Sequence, residues 1–236
     1  MDSILGGALK IIQPRYGYRF SVDAILLGRF AGARPAGRIL DLGSGSGAVT
    51  MILAALCGPS EIAAVELQPD LAALIVRNAD INGFENVRAI QADLREPSID
   101  GLTADSFDLV VANPPYRRAN SGRQSPNRGR RLARAENAAE LSDFIRTAAK
   151  YMRHGARAGF IFAAARTADL IVELRAHRLE PKRMRFVYPM AGKPGSLLLM
   201  ETRKAGGVQL AVEPPLIMYE RPGIYTEEAT RLLSRL

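Results

Sequence analysis

Cysteine and histidine are scarce in this sequence, and their scarcity argues against several kinds of site. The chain has one cysteine, Cys57, so it forms no internal disulfide, and we expect a reducing compartment, the cytoplasm. Its two histidines, His154 and His177, fall near the ends of predicted helices, where an imidazole interacts favourably with the helix dipole. These residues are too few for a typical structural zinc site, and no serine or cysteine belongs to an evident catalytic triad. We therefore expect no metal.

Long hydrophobic runs are absent as well. The apolar stretch at residues 4–9 is short and interrupted by glycine, so we do not expect a signal peptide. No run approaches the roughly 20 residues of a membrane-spanning helix, so no membrane partner is expected. The 236 residues, 47% of them hydrophobic, suit a single domain. We divide this domain into an N-terminal extension with an entry helix (residues 1–35), a core (residues 36–205) and a C-terminal tail (residues 206–236).

Lysine is rare, although the chain is basic. The sequence has 32 basic and 24 acidic residues, and 27 of the basic residues are arginine. Arginine binds phosphate through two parallel hydrogen bonds and stacks on bases, so a nucleic-acid partner is plausible. A GC-rich genome would produce the same abundance of arginine. Composition alone leaves both explanations open.

Strand-like and helix-like segments alternate along the chain. The predicted strands are residues 38–41, 61–65, 87–90, 107–112, 158–163, 183–188 and 197–201. The predicted helices are residues 22–30, 48–57, 69–81, 141–154, 167–177 and 227–236. This alternation predicts an α/β fold with a seven-stranded, mainly parallel sheet and helices on both faces. One strand should be antiparallel, because a short connection joins the last two strands.

A glycine-rich turn links the first predicted strand to a helix. Gly43, Gly45 and Gly47 allow the backbone to approach a ligand, and Glu66, at the end of the next strand, suits ribose hydroxyls. The G-x-G-x-G spacing and the preceding Asp41 disfavour NAD, because the carboxylate would repel a pyrophosphate. It would not repel a sulfonium or an ammonium group, so S-adenosylmethionine fits better. Asp93, after the third strand, is a candidate acceptor for the cofactor's adenine amino group, although loop aspartates are common.

The strand at residues 107–112 stops at Asn113-Pro114-Pro115-Tyr116. Proline cannot donate to a sheet ladder, and ligands bind at the carboxyl ends of strands in open α/β sheets. The Asn113 side-chain oxygen and the Pro114 carbonyl can each accept a hydrogen from an exocyclic amine, and Tyr116 can stack on a base. This pattern suits methylation of an amino group such as adenine N6. The alternative is an ordinary turn.

Together these motifs resemble the class I methyltransferases that modify amino groups, which implies a Rossmann-like fold. The resemblance covers residues 36–165. Residues 13–24, 193–201 and 217–228 are in addition similar to the bacterial tRNA1(Val) adenine-37 N6-methyltransferase family, so the likeness spans nearly the whole chain. It implies S-adenosylmethionine as cofactor, tRNA as substrate, and catalytic roles for Asn113, Pro114 and Tyr116. It also implies that Phe20 and Asp23 lie near the methionine end of the cofactor.

The sequence departs from that family just after Tyr116, where an unusually long segment at residues 117–131 is rich in arginine and contains no acidic residue. Such a segment can follow phosphates and stack on splayed bases, although a solvated loop is the simpler alternative. Its arginines are Arg117, Arg118, Arg123, Arg128, Arg130 and Arg131. Three other functions remain open: glutamine-amide methylation of a release factor, guanine N2 methylation of ribosomal RNA, and RNA binding without catalysis.

Overall fold

A computed structural model describes residues 1–14, 21–34, 36–58, 60–116 and 139–234. Its strands are β1 (Asp2–Ile4), β2 (Leu9–Ile11), β3 (Arg38–Leu42), β4 (Glu61–Glu66), β5 (Val87–Gln91), β6 (Phe107–Ala112), β7 (Met152–Ala163), β8 (Leu179–Met190), β9 (Leu197–Lys204), β10 (Ala211–Val212), β11 (Leu216–Arg221) and β12 (Ile224–Tyr225). Its α-helices are α1 (Val22–Gly32), α2 (Ala48–Cys57), α3 (Pro69–Asn82), α4 (Leu141–Tyr151), α5 (Thr167–Ala176) and α6 (Glu227–Ser234). Among these described helices, none is long and apolar enough to cross a membrane.

The central sheet confirms the predicted fold class. Its strands lie in the order β12-β11-β8-β9-β7-β6-β3-β4-β5, and β10 also pairs with β8. The predicted seven strands correspond to β3 through β9. Of these, β9 runs antiparallel to both neighbours, β7 and β8, while β5, β4, β3, β6 and β7 are mutually parallel. The carboxyl ends of the parallel strands therefore meet at one edge of the sheet.

Helices cover both faces of this sheet because its central strands are apolar on both sides. Along β6, Val110 and Ala112 belong to a buried cluster with Phe144 of α4. Leu109 and Val111 belong to a second cluster with Leu27 of α1. Side chains that alternate between two covered faces explain the continuous apolar run in the sequence.

The C-terminal tail contributes more to the sheet than we predicted. We expected a helix only, but β11 pairs in parallel with β8, and β12 pairs with β11. Leu216 and Met218 are buried, whereas Ile217 and Tyr219 are half-buried, which is the two-residue period of a strand. The two prolines before Leu216 obscured this period by indicating a loop.

Two further boundaries differ from the prediction. Helix α4 ends at Tyr151 rather than at residue 154, because Met152 adopts an extended backbone and pairs with Phe107 of β6. The N-terminal extension, for which no strand was predicted, includes a small hairpin of β1 and β2. Its apolar side chains, such as Leu9 and Ile11, are buried beside α2 and α3.

Candidate active site

The glycine-rich turn between β3 and α2 has a shape that depends on its glycines. Gly43, Gly45 and Gly47 have φ values of 66°, 58° and 83°, in the left-handed region that other residues rarely adopt. A Cβ atom on Gly43 would also lie 2.8 Å from the Phe144 ring. The turn is held by a hydrogen bond of 3.0 Å from the Ser44 amide to the Val65 carbonyl of β4. Contacts within the protein therefore define the shape of this turn.

Asp41 is buried beneath this turn. Its carboxylate accepts a hydrogen bond of 2.6 Å from the Thr50 hydroxyl, and only 2% of the residue is exposed. The pKa of Asp41 is raised to about 7, chiefly by burial and to a smaller extent by the charge of Glu66, against the opposing effect of the Thr50 hydrogen bond. A cation bound nearby would favour the ionised form.

Glu66 lies at the carboxyl end of β4 and supports the same turn. One carboxylate oxygen accepts from the Gly45 amide and the other from the Gln68 amide, each at 2.9 Å. A carboxylate offers about four acceptor positions, so the predicted role with ribose hydroxyls remains chemically available. The sequence did not predict the bond between Gly45 and Glu66. Gly45 follows β3 and Glu66 ends β4, and a local pattern does not show that these two positions meet.

Asp93 follows β5, as predicted, but Arg95 engages its carboxylate. The Arg95 guanidinium lies 2.6 Å from one Asp93 oxygen, and the Arg95 amide donates to the other at 2.9 Å. The Arg95 hydrogen bond lowers the pKa of Asp93, so the carboxylate is ionised at neutral pH. The predicted contact with an adenine amino group would share these oxygens with Arg95, and it stays a prediction.

Strand register brings Asn113 beside the glycine turn. Leu42 of β3 pairs with Ala112 of β6, so Gly43 and Asn113 emerge next to each other at the sheet edge. Both residues line a small cleft. The other residues lining this cleft are Ala24, Asp41, Ser44, Ser46, Ala48 and Val49.

Two polar groups in this cleft have no hydrogen-bond partner within the described residues. One is the Ser46 hydroxyl, whose oxygen is buried. The other is the partly buried side-chain amide of Asn113, for which no bond is found in the same residues. Buried polar groups are usually satisfied, so the Ser46 hydroxyl is a candidate contact for a polar ligand, and the more accessible Asn113 amide is a second candidate. With the carboxylates of Asp41 and Glu66 nearby, these groups fit a ligand that carries a cation and hydroxyls, as S-adenosylmethionine does.

The structure connects Tyr116 to Asp23, two residues that were predicted separately. The Tyr116 hydroxyl donates to an Asp23 carboxylate oxygen at 2.6 Å. The Tyr116 ring lies at 88° to the Phe162 ring, with 5.9 Å between centroids, and Arg166 donates to the Tyr116 carbonyl at 3.2 Å. Asp23 lies in the first turn of α1, which Ser21 caps. Phe162 and Arg166 were missed, because neither belongs to a local motif.

Some predicted site residues lie outside the described part of the chain. They are Phe20, Arg117, Arg118, Arg123, Arg128, Arg130 and Arg131. Pro114 is described and is buried behind Asn113, while Pro115 is exposed. In the described residues, no group of three or more histidine, cysteine or acidic side chains could hold a metal ion.

Comparison with known proteins identifies the family of the chain. The family profile described as the methyltransferase small domain matches residues 22–157. A curated tRNA1(Val) (adenine(37)-N6)-methyltransferase of Porphyromonas gingivalis is 29% identical over 230 residues, covering 94% of this chain and 89% of the relative. A release factor glutamine methyltransferase of Salmonella typhimurium is 42% identical, but over 79 residues, which cover 34% of this chain and 27% of that relative.

A solved structure agrees over a similar span. The crystal structure described as a predicted O-methyltransferase from Agrobacterium tumefaciens matches with a TM-score of 0.71 and 25% identity, covering 89% of this chain and 94% of that chain. The family profile contains β3 to β6, the glycine turn and Asn113, and it spans more than half of the sequence. The chain therefore belongs to the methyltransferase small domain family, and the protein is an S-adenosylmethionine-dependent methyltransferase.

Proposed function

We propose that this methyltransferase modifies the N6 amino group of an adenine in tRNA. The observation that carries the proposal is the side-chain amide of Asn113, which lines the cleft beside the glycine turn without a partner in the described residues. The curated tRNA1(Val) (adenine(37)-N6)-methyltransferase matches 94% of this chain, so position 37 of that tRNA is the first substrate to test.

The proposed chemistry uses acceptors at the end of β6. The lone pair of an adenine amino group is delocalised into the ring, which makes the nitrogen a poor nucleophile. The Asn113 side-chain oxygen and the Pro114 carbonyl would each accept one amino hydrogen, holding the nitrogen and orienting its lone pair. S-adenosylmethionine supplies an electrophilic methyl group when bound. The protein's contribution is mainly position and electrostatics, without a covalent intermediate.

A base in a folded anticodon loop must leave its stack to reach this cleft. Tyr116 would stack on the extruded base, and its bond to Asp23 would hold the ring in place. Asp41 and Glu66 would hold the cofactor from the opposite side of the cleft. Helix α1 would serve both halves of the site, because its Ala24 lines the cleft and its Asp23 accepts the hydrogen bond from Tyr116.

The direct test is transfer of a labelled methyl group to tRNA from a strain that lacks this gene. Mass spectrometry of the digested product should identify N6-methyladenosine. N2-methylguanosine would change the substrate base and preserve the methyltransferase assignment. Transfer to a release factor instead of tRNA would favour glutamine-amide chemistry. RNA binding without transfer to any of these substrates would overturn the proposal.

The proposed RNA contact is tested by two variants of the segment at residues 117–131. The first replaces Arg117, Arg118, Arg123, Arg128, Arg130 and Arg131 with serine, and the second replaces them with lysine. Each phosphate contact contributes about 0.7–0.9 to the salt slope of log affinity, so the serine variant should bind tRNA with a flatter slope. The lysine variant should keep most of the slope, because it keeps the charge. Equal slopes in the serine variant and wild type would identify a solvated loop.

A further inference from the structure

Asn78 is a polar residue in the otherwise apolar buried face of α3. It is fully buried, and its neighbours on this face include Leu71, Ile75 and Ala79. An asparagine in such a position is unfavourable unless its amide is satisfied. The contacts of its side chain therefore account for its place in the core.

The Asn78 side-chain amide bonds to two separate segments of backbone. Both of its N–H groups donate, and its oxygen accepts one hydrogen bond. Its oxygen accepts from the Ile12 amide at 2.7 Å, and its nitrogen donates to the Ile12 carbonyl at 2.9 Å. The second N–H donates to the Ser46 carbonyl at 2.8 Å. One N–H donor and two carbonyl acceptors around the amide determine its orientation.

These bonds join the glycine turn to the N-terminal strand. The Ser46–Gly47 peptide has its carbonyl on Asn78 and its N–H on the Ser44 carbonyl at 2.9 Å, so both ends of this peptide are held. Ser46 also lines the cleft, and its buried hydroxyl has no partner within the described residues. Ile12 directly follows β2, and the chain continues from it toward α1 and Asp23. A single buried side chain thus ties the glycine turn, which borders the cleft, to the backbone that follows β2.

We infer that Asn78 is a positioning residue that couples the N-terminal segment to the glycine turn and so sets the affinity for S-adenosylmethionine. The inference rests on the methyltransferase assignment, and it does not depend on the RNA substrate. Without the Asn78 amide, the Ser46–Gly47 peptide loses its carbonyl partner, and the left-handed Gly47 offers little resistance to rotation of that peptide.

Asn82, one turn later on α3, is a matched control. Its oxygen accepts from the Lys10 amide at 2.9 Å, and its nitrogen donates to the Lys10 carbonyl at 2.8 Å. Its second N–H bonds to the Asn78 carbonyl at 2.7 Å, within the helix, rather than to the glycine turn. Asn82 therefore clamps the same strand without contacting the cofactor turn.

The first experiment compares Asn78→Ala with Asn82→Ala by titration calorimetry with S-adenosylmethionine. We expect Asn78→Ala to raise Kd about tenfold, as loss of a buried hydrogen bond implies, and Asn82→Ala to stay within about twofold of wild type. Both variants lose side-chain bonds to the backbone of Lys10 or Ile12, so thermal unfolding should show that both are destabilised. Equal affinity losses in the two variants, or wild-type affinity in Asn78→Ala, would overturn the inference.

Because Asn78→Ala removes three buried bonds, a second measurement uses the wild-type protein. Coupling between sites is reciprocal, so bound cofactor should also stabilise the Ile12 clamp. Hydrogen exchange by NMR should show that saturating S-adenosylmethionine slows exchange of the Ile12 amide more than exchange of the Lys10 amide. Equal slowing of both amides, or none, would contradict the inference. Failure of the wild type to bind the cofactor would instead overturn the cofactor assignment, and the inference with it.

Discussion

The two halves of the cleft are built differently. On the cofactor side, the carboxylates of Asp41 and Glu66 already accept hydrogen bonds from Thr50, Gly45 and the backbone after β4. On the acceptor side, the Asn113 amide has no such partner in the described residues. Carboxylates that protein hydrogen bonds hold in place offer the cofactor a rigid site. The side-chain amide of Asn113 is available to bind the reacting nitrogen. We therefore expect cofactor-side substitutions to act on binding and Asn113 substitutions to act on the chemical step.

The largest expected effect comes from Asn113→Ala. Its oxygen should polarise and orient the amine most strongly as the methyl group transfers, and interactions of this kind raise the rate of the chemical step. Single-turnover methylation of tRNA, measured by rapid quench, should fall by about 10²–10³. Cofactor and RNA should still bind within a few-fold. A wild-type rate in the folded variant would overturn the assigned role of Asn113.

Asn113→Asp sharpens this test. The Asn113 N–H groups have no internal partner in the described residues, so the substitution breaks no bond there. The added negative charge should therefore determine how the methylation rate changes. A carboxylate still accepts a hydrogen bond, but it stabilises a sulfonium before transfer more than at the transition state, where the charge disperses. We expect activity between those of wild type and the alanine variant. Activity below that of Asn113→Ala would show that charge outweighs the retained acceptor.

Glu66→Ala should have the next largest effect, and on binding. Loss of the carboxylate should weaken S-adenosylmethionine binding by roughly 1.5–3 kcal/mol, as measured by calorimetry, because the predicted ribose bonds involve a charged acceptor. The Gly45 amide also loses its partner in this variant. Glu66→Gln keeps one acceptor oxygen and should lie between wild type and alanine. Unchanged affinity in folded Glu66→Ala would remove Glu66 from the cofactor site.

As pH rises, ionisation of Asp41 should strengthen cofactor binding and lower the stability of the folded protein. Its pKa is raised to about 7 by burial, so the folded protein without cofactor retains a proton that the unfolded chain releases near pH 4. The stability that this proton contributes is fully present below about pH 4 and is lost as pH rises through about 7. A cationic ligand favours the ionised carboxylate, so affinity should rise with pH from about 6 to 8, by at most about tenfold per unit.

Calorimetry and thermal unfolding across this pH range check both trends. Asp41→Asn should reduce both pH dependences, because asparagine has no proton to release over this range. If the cofactor affinity of Asp41→Asn still rose with pH as in wild type, another group would be responsible for the pH dependence.

The smallest effect concerns the link between Tyr116 and Asp23. Tyr116→Phe keeps the ring beside Phe162 but removes the hydrogen bond of 2.6 Å, so kcat/KM should fall by an amount equivalent to roughly 0.5–1.5 kcal/mol. Tyr225→Phe, at the stacked Tyr219–Tyr225 pair, is a matched control that should leave kcat/KM unchanged. Combining Tyr116→Phe with Asp23→Asn should cost less than the sum of the two single losses. Additive losses would show that the bond has no role in catalysis.

Much of the fold followed from local patterns. Apolar runs that end in glycine or proline predicted β3 to β6 within one residue at each end, because backbone chemistry and burial act over short stretches, whereas β7 begins six residues before its predicted start. The prolines after Asn113 correctly indicated the end of β6. This end lies at the sheet edge that also carries the glycine turn and the carboxylates of Asp41 and Glu66. The tail was missed as part of the sheet, because the two prolines before Leu216 indicated a loop and the pairing of β11 with β8 joins distant segments.

The amino-acid sequence by itself determined which chemical groups stand at strand ends: Asp41, Glu66 and Asn113 are recognisable from their positions after apolar runs. Only the tertiary structure decided which of them meet. The pairing of β3 with β6 places Asn113 beside the glycine turn, and helix packing brings Asn78 to Ile12, 66 residues away. Strand register and packing depend on contacts between distant segments, and the energies of those contacts are not encoded in the period of any single segment.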